Sequence, residues 1–351
     1  MSDSLTITLL GAIFLVVLAL PFLVKRVEHN LEAFLFLMGV LAVTASQAWD
    51  LQLVKDAARH PVMITGAVLG AGALAHLGRE RLDQGLRSLL TRVPLGVLVA
   101  ALVAALGLVS SVITAIIAGI LLAEFLSILP LSRGSRVNVA VLGCFAIGLG
   151  AALTPVGEPL STIAVQKLSG EPHRADFFFL ARLLGIEILV GIAAATLLSA
   201  LFVARRHETA GETGGSKGEE HGEAWATVGT RALKVYVFVA ALTLLGAGYE
   251  IVIEKYLSQV PGYVLFWANM SSAVLDNATL TAAEIGPSLS LGQIEDALLA
   301  LIIAGIMLIP GNIPNIIVAG KLHISMRDWA RLGVPLGLGA MLAGFLAVVL
   351  L

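Results

Sequence analysis

Apolar runs close to 20 residues long recur along this chain, and they restrict its fold more than any other feature. The first run covers 5–24 and the last covers 332–351. A helix of about 20 apolar residues is long enough to cross the hydrocarbon layer of a bilayer. Charged residues make up only 13% of the chain, whereas a soluble domain has about 25%. The sequence therefore predicts an all-α integral membrane protein.

One polar stretch separates two apolar halves. The predicted apolar segments are 5–24, 31–48, 62–78, 94–110, 112–130, 138–168, 177–204, 232–253, 260–287, 294–322 and 332–351. Residues 205–229, "RRHETAGETGGSKGEEHGEAWATVG", are instead polar, rich in glycine and poor in large aliphatic side chains. Because such a segment has little apolar surface to bury, we expect it to be a solvated linker.

The two halves carry the same short motifs in the same order. "SSVITAIIAGILLAE" at 110–124 matches "SSAVLDNATLTAAE" at 271–284, since each begins with a serine pair and ends with glutamate. "LTPVGEPLSTIAVQKL" at 153–168 matches "LIPGNIPNIIVAGKL" at 308–322, and both contain Pro-x-x-x-Pro. Repeats of this kind are typical of secondary transporters. The pattern predicts an internal duplication.

The distribution of Lys and Arg favours re-entrant hairpins. These residues collect on the cytoplasmic side of membrane proteins. If two apolar segments each enter and leave on one side, most of the basic residues share a side and the two repeats are inverted.

The chain is predicted to consist of four parts. These are N-terminal helices over 1–61, a first repeat over 62–204 with a hairpin at 94–130 and a broken helix at 138–168, a cytoplasmic linker over 205–229, and a second repeat over 230–351 with a hairpin at 260–287 and a broken helix at 294–322.

The two Pro-x-x-x-Pro segments are the expected helix breaks. They place Pro155 with Pro159 and Pro310 with Pro314. A proline inside a helix removes a backbone donor and clashes with the preceding turn. Extended backbone at membrane depth is tolerated only inside protein or beside a water-filled cavity. Half-helix ends also present partial charges to a ligand, so the breaks mark a candidate binding site.

Three polar residues stand out in these apolar surroundings. Asp276 and Asn277 lie where the second hairpin is expected to turn, and Glu158 follows Gly157 in the first broken helix. A carboxylate in hydrocarbon costs about 3 kcal/mol or more. Carboxylate and amide oxygens bind hard cations, and a carboxylate near the midplane can hold a proton. The alternatives are a helix-capping role for Asp276 at a loop that surfaces and an ordinary loop carboxylate at Glu158.

Neutral oxygens and two further acids complete the candidate site. The neutral side chains are Ser110, Ser111, Thr114, Thr154, Ser161, Thr162, Ser271, Ser272, Asn312 and Asn315. Glu124 and Glu284 end the matched hairpin segments, and they join Asp276 and Glu158 as candidate proton carriers. Asp276 and Glu158 have no Lys or Arg close to them in sequence. Acids without a nearby base favour a cation or protons as the ligand.

The segment around Asp276 resembles a known family. Its "SSAVLDN" is similar to the Ser-Ala-x-x-Asp-Asn segment of NhaD-type sodium/proton antiporters, and the duplicated hairpin and broken helix resemble the ion-transporter superfamily. The whole chain resembles a family of cation transporters first catalogued as domain of unknown function 1646. The resemblance implies an inverted-repeat fold, a midplane sodium site at Asp276 and Asn277, an elevator motion and a homodimer. The first hairpin, "SSVITAI", lacks the Asp-Asn pair, which puts a symmetric second sodium site in doubt.

Two transport functions are consistent with these features. The first is a sodium or other monovalent cation/proton antiporter in a prokaryotic inner membrane, with lipid, cation and proton as its partners. The alternative is a sodium-coupled symporter of a small anion or carboxylate, in which Asp276 serves only the sodium. The chain has no paired catalytic Asp motif and no His-Glu-x-x-His, so we do not expect an enzyme. We expect no cofactor other than sodium and no nucleic-acid partner.

Overall fold

A computed structural model describes most of the chain as α-helix. The described residues are 3–59, 61–62, 64–66, 68–70, 73, 92–209, 225–256, 262–275 and 277–350. Asp276 and residues 210–224 of the predicted linker lie outside them, as does part of the predicted 62–78 segment. The helical class predicted from the sequence is confirmed, and no strand occurs among the described residues.

The helices follow one another with short connections. The first half contains α1 (Asp3–Leu23), α2 (Lys25–His29), α3 (Leu31–Ser46), α4 (51–59), α5 (Leu95–Ile113), α6 (Ala115–Ile128), α7 (Arg133–Ala151), α8 (Pro159–Leu168), α9 (Phe179–Leu183) and α10 (Gly185–Thr209). The second half contains α11 (Trp225–Tyr256), α12 (Gly262–Ala268), a 3-10 turn (Asn269–Ala273), α13 (Asn277–Glu284), α14 (Leu291–Met307), a 3-10 turn (Ile309–Gly311), α15 (Ile313–Leu322) and α16 (Met326–Leu350).

Six helices in the described part of the chain are long and apolar enough to cross a membrane. They are Leu5–Leu23, Leu95–Ile113, Arg133–Ala151, Gly185–Val203, Ala232–Val252 and Met326–Leu346. Helices α3, α6 and α15 are also apolar, but they are shorter. By length and composition, the chain is that of a multi-pass membrane protein.

Close helix packing depends on small residues. Helix α3 packs along α11, where a Cβ placed on Gly39 would lie 2.9 Å from the Cβ of Leu244. Helices α5, α7 and α10 form a second group, in which a Cβ on Gly107 would lie 3.1 Å from the Cβ of Ala146. Glycine lets such backbones approach closely, as is common between membrane helices.

Two boundaries differ from those expected from the sequence. The first hairpin was expected to turn at residue 111, but α5 continues to Ile113 and the chain turns at Thr114, which has a φ of 75°. The Ser110 and Ser111 hydroxyls lie within this helix and contact carbonyls one turn back, those of Gly107 and Leu108. Helices α10 and α11 also extend into the predicted linker, which makes 205–209 and 225–229 helical.

Candidate ion site at two helix breaks

The first Pro-x-x-x-Pro segment interrupts a helix as expected. Helix α7 ends at Ala151 and α8 begins at Pro159, with Glu158 as its N-cap in extended conformation (φ −154°, ψ 160°). Proline fits this position because the first turn of a helix has no partner for its N–H group. The Glu158 side chain is only 5% exposed. The break therefore places a buried carboxylate at the N-terminus of α8.

The second Pro-x-x-x-Pro segment produces the same local geometry. Helix α14 ends at Met307, and α15 begins at Ile313 with Asn312 as its N-cap (φ −152°, ψ 147°). Asn312 is 7% exposed. The N-cap residues of α8 and α15 thus have nearly equal backbone angles, although one is an acid and the other an amide.

These two N-caps contact each other. Nδ2 of Asn312 donates to Oε2 of Glu158 at 3.5 Å. The N-termini of α8 and α15 therefore approach the same point. Each helix N-terminus carries a partial positive charge of about half an elementary charge, which stabilises a nearby anion. Two such ends therefore favour negative charge at the position of the buried Glu158 side chain.

A second pair of equivalent contacts closes each break. Three residues beyond the N-caps, Ser161 and Asn315 are both fully buried. The Ser161 hydroxyl donates to the carbonyl of Ala152, the residue that follows α7. The Asn315 amide donates to the carbonyl of Leu308, the residue that follows α14. Each distal half-helix thus satisfies a carbonyl that the end of the proximal half-helix leaves open.

The hairpin segments attach to the breaks through their serines and neighbouring groups. The Ser110 hydroxyl donates to the Ile147 carbonyl on α7 at 3.0 Å, and the Ser272 hydroxyl donates to the Leu301 carbonyl on α14 at 3.1 Å. In the first half, Thr154 Oγ1 also donates to the Ser111 carbonyl at 2.5 Å. The N–H of Ala115 donates to the Gly157 carbonyl at 2.8 Å. These bonds hold the start of α6 directly beside Glu158.

The second arm of each hairpin segment packs on the distal half-helix of the other half. Helix α6 packs along α15, where a Cβ on Gly119 would lie 3.2 Å from Pro314. Glu124 and Lys321 form an ion pair of 2.9 Å near the other ends of these helices. Helix α13 packs along α8, where Lys167 donates to the Ala282 carbonyl. The two halves are therefore interlocked around the breaks.

The start of α13 lies against the second break. A Cβ on Gly305 would lie 3.0 Å from the Gly311 carbonyl, 3.4 Å from Oγ of Ser272 and 3.6 Å from Nδ2 of Asn277. Asn277 is the first residue of α13 and is buried, and its Nδ2 donates to no described group. Since Gly311 adjoins Asn312, this cluster is continuous with the Glu158–Asn312 contact.

The chain matches a known protein family over almost its whole length. Residues 7–351 match the model of a family described as "Protein of unknown function (DUF1646)". The chain belongs to the DUF1646 family. No curated protein matches it.

The structure gathers most of the residues predicted for the site in this DUF1646 member. Those at or beside the breaks are Glu158, Asn312, Asn315, Thr154, Ser161, Thr162, Ser110, Ser111, Ser272 and Asn277. Thr114 caps α6 through its contact with the Ile117 N–H. Ser271 is half-buried, and its hydroxyl has no described partner. The predicted role of Asp276 lies outside the described residues, although the chain places it directly before Asn277.

The two remaining candidate proton carriers differ in their surroundings. Glu124 forms an ion pair with Lys321 at 2.9 Å. Glu284 is buried, and its neighbour is the amide of Asn269. Sequence reasoning missed both Lys321 and Asn269. The available signal was an isolated Asn in the apolar run "GYVLFWANM" and a Lys-Leu pair repeated at the end of each broken helix.

Proposed function

We propose that this protein is a secondary active transporter that exchanges sodium, or another monovalent cation, for protons. The observation that carries the proposal is the contact between Glu158 and Asn312. It places one buried carboxylate and one amide at two helix breaks within a chain of membrane-type composition. Broken helices at membrane depth are the usual place where transporters bind their ions.

The chemistry of the site favours a small hard cation. Glu158 supplies a carboxylate and Asn312 supplies an amide, and both groups can place an oxygen on such an ion. Asn277 and Ser272 lie against the adjoining Gly305–Gly311 contact. We place Asp276, which precedes Asn277 in the chain, at the same site as the second carboxylate. A cation and protons would then compete for the same oxygens.

The repeated contacts support an alternating mechanism. The pairs Ser110 with Ser272 and Ser161 with Asn315 make equivalent hydrogen bonds in the two halves. We interpret the α5–α6 and α12–α13 segments as re-entrant hairpins that enter from opposite sides of a prokaryotic inner membrane. Under this interpretation the repeats are inverted and the hairpins move with the breaks past a fixed scaffold. A homodimer would supply that scaffold.

One observation favours the alternative, a sodium-coupled symporter of a small anion. The N-termini of α8 and α15 meet at the site, and helix N-termini bind anions. In the antiporter the Glu158 carboxylate takes the place of such an anion. In the symporter a substrate carboxylate would bind there together with sodium. The two functions therefore differ in whether an added anion is needed for transport.

Transport measured with purified protein in liposomes distinguishes the antiporter from the symporter. We expect an outward sodium gradient to drive proton uptake, reported by an internal pH dye, with no substrate anion present. Below the pKa of the site, apparent sodium affinity should fall about tenfold for each unit by which the pH is lowered, because one proton competes with one cation. Strict dependence on an added anion would instead establish the symporter.

Matched variants test the residues. Glu158→Gln and Asp276→Asn keep the size of each side chain but remove its charge, so both should fold and lose sodium-driven proton movement. Asp176→Asn is the control, because Asp176 is an exposed carboxylate paired with Arg182. Wild-type exchange by Glu158→Gln would overturn the assignment of the site.

A further inference from the structure

Glu284 and Asn269 form a buried polar pair outside the Glu158–Asn312 contact. Glu284 ends α13 and is 7% exposed, whereas Asn269 opens the 3-10 turn after α12 and is fully buried. The Asn269 amide lies beside the carboxyl group, and its Nδ2 donates to the Ala297 carbonyl at 3.3 Å. Both carboxyl oxygens of Glu284 and Oδ1 of Asn269 are buried and accept no hydrogen bond of good geometry from the described residues.

Glu124, the matching acid in the first half, has a lysine partner, whereas Glu284 forms no ion pair with a described side chain. Glu124 ends the equivalent segment and pairs with Lys321 at 2.9 Å. The lysine equivalent to Lys321 is Lys167, which is exposed and donates to the backbone carbonyl of Ala282 instead. The same sequence feature thus produces an ion pair in one half and a buried acid beside an amide in the other.

No described side chain of the helices packed against α13 forms an ion pair with Glu284. Helices α8, α11 and α14 all contact it. Their described charged or titratable side chains include Lys167 on α8, Lys234, Tyr236, Tyr249 and Glu250 on α11, and Glu295 and Asp296 on α14. Lys234 pairs with Glu32, and Tyr236 and Tyr249 donate to backbone carbonyls. The Glu284 carboxyl group is buried, and the Asn269 amide lies beside it.

A buried carboxylate that lacks donors is costly, so the group is neutralised by a proton or by a bound cation. We propose that Glu284 and Asn269 form a second site for a small cation, held by the carboxyl group and by the amide oxygen. The ligand is either a proton or a desolvated monovalent cation. This site goes beyond the antiport proposal, since binding at Glu284 requires neither Glu158 nor transport.

Carbodiimide modification tests the site directly. Dicyclohexylcarbodiimide adds to protonated carboxyl groups in apolar surroundings, and the product is located by peptide mass spectrometry. We expect modification of Glu284 that decreases as the pH rises, and we expect none at Glu124, the ion-paired internal control. Protection of Glu284 by sodium at constant ionic strength would identify a metal cation as the ligand, whereas dependence on pH alone would identify a proton.

Thermal unfolding in detergent gives a second readout that does not depend on access of the reagent. If the folded protein binds a proton or cation at Glu284, raising the pH without that cation should lower the unfolding temperature, since the bound form is then lost. Glu284→Gln imitates the neutral group and should remove this part of the pH dependence. Glu158→Gln should retain it, so failure of the antiport proposal would remain distinguishable. Equal pH and cation dependence in wild type and Glu284→Gln, with Glu284 unmodified, would overturn the proposal.

Discussion

Ser110 and Ser272 make the same kind of contact in the two halves of the molecule. Each is fully buried, and each hydroxyl is within hydrogen-bonding distance of a carbonyl on the helix that precedes a break, Ile147 for the first and Leu301 for the second. The single proton of the Ser110 hydroxyl is shared with the Gly107 carbonyl, which lies at 2.7 Å. The hydroxyl–carbonyl distances are 3.0 and 3.1 Å. The hairpin segments are therefore fastened to the broken helices by the same bond in both halves.

This equivalence predicts equal costs of substitution. Ser110→Ala and Ser272→Ala should each lower the free energy of unfolding by about 1 kcal/mol, because each removes one buried hydrogen bond. Ser127→Ala is the control, since the exposed Ser127 hydroxyl bonds only within its own helix. Denaturant titration in detergent measures the change. A cost in one half alone would show that the two attachments are not equivalent.

The Glu124–Lys321 pair should be sensitive to the loss of one partner. Its side chains are 15% and 10% exposed, so Glu124→Gln removes a carboxylate from a nearly buried ammonium group and should cost about 3 kcal/mol. The double variant Glu124→Leu with Lys321→Leu should recover most of that loss. Glu171→Gln, in the exposed Glu171–Arg174 pair, is the control and should change the free energy of unfolding little. The double variant would contradict this account if it were less stable than Glu124→Gln.

Packing around the first break should tolerate no side chain at Gly150. A Cβ on Gly150 would overlap the carbonyl of Gly107 and approach Oγ of Ser110 to 2.9 Å. We expect Gly150→Ala to abolish the monodisperse peak in size-exclusion chromatography. Gly185→Ala is the matched control, because a Cβ there has no neighbour within 4 Å. Normal yield and elution of Gly150→Ala would mean that α5 and α7 can separate without loss of the fold.

Asn312 should contribute to cation binding as well as to stability. Asn312→Leu has a similar volume but removes the donor to Glu158 and the amide oxygen. A hydrogen bond to a charged group contributes about 1.5–3 kcal/mol, so apparent sodium affinity in liposomes should fall roughly tenfold or more. Asn315 is not a suitable control because it closes the break. Thr230→Val, at an exposed position on α11, should leave the affinity unchanged.

The proposed inverted hairpins make a prediction about sidedness. Ser127 lies near the end of α6 and Ser169 follows α8, and both are exposed. In a Cys144→Ala background, Ser127→Cys should react with an impermeant thiol reagent from the cytoplasmic side and Ser169→Cys from the opposite side. The Cys144→Ala protein without an added cysteine is the unreactive reference. Reaction of both cysteines from one side would exclude the proposed topology.

Sequence reasoning located the breaks because proline acts locally. Each break contains two prolines four residues apart, which restrict the backbone locally, and the structure interrupts both helices there. A single proline does not have this effect here, since Pro21 and Pro335 lie within α1 and α16. Hydropathy did not place the end of α5 at Ile113, because the residues on both sides of the Ser110–Ser111 pair are apolar.

The sequence by itself determined the helical membrane class, the two helix breaks and the set of polar residues beside them, since hydropathy and proline chemistry depend on neighbours in the chain. Only the tertiary structure decided which polar groups meet. It placed Asn312 against Glu158 and gave Glu124 a lysine from the other half. It also left Glu284 beside Asn269. These outcomes depend on contacts between distant helices, because the charge state of a buried acid is set by what packs against it.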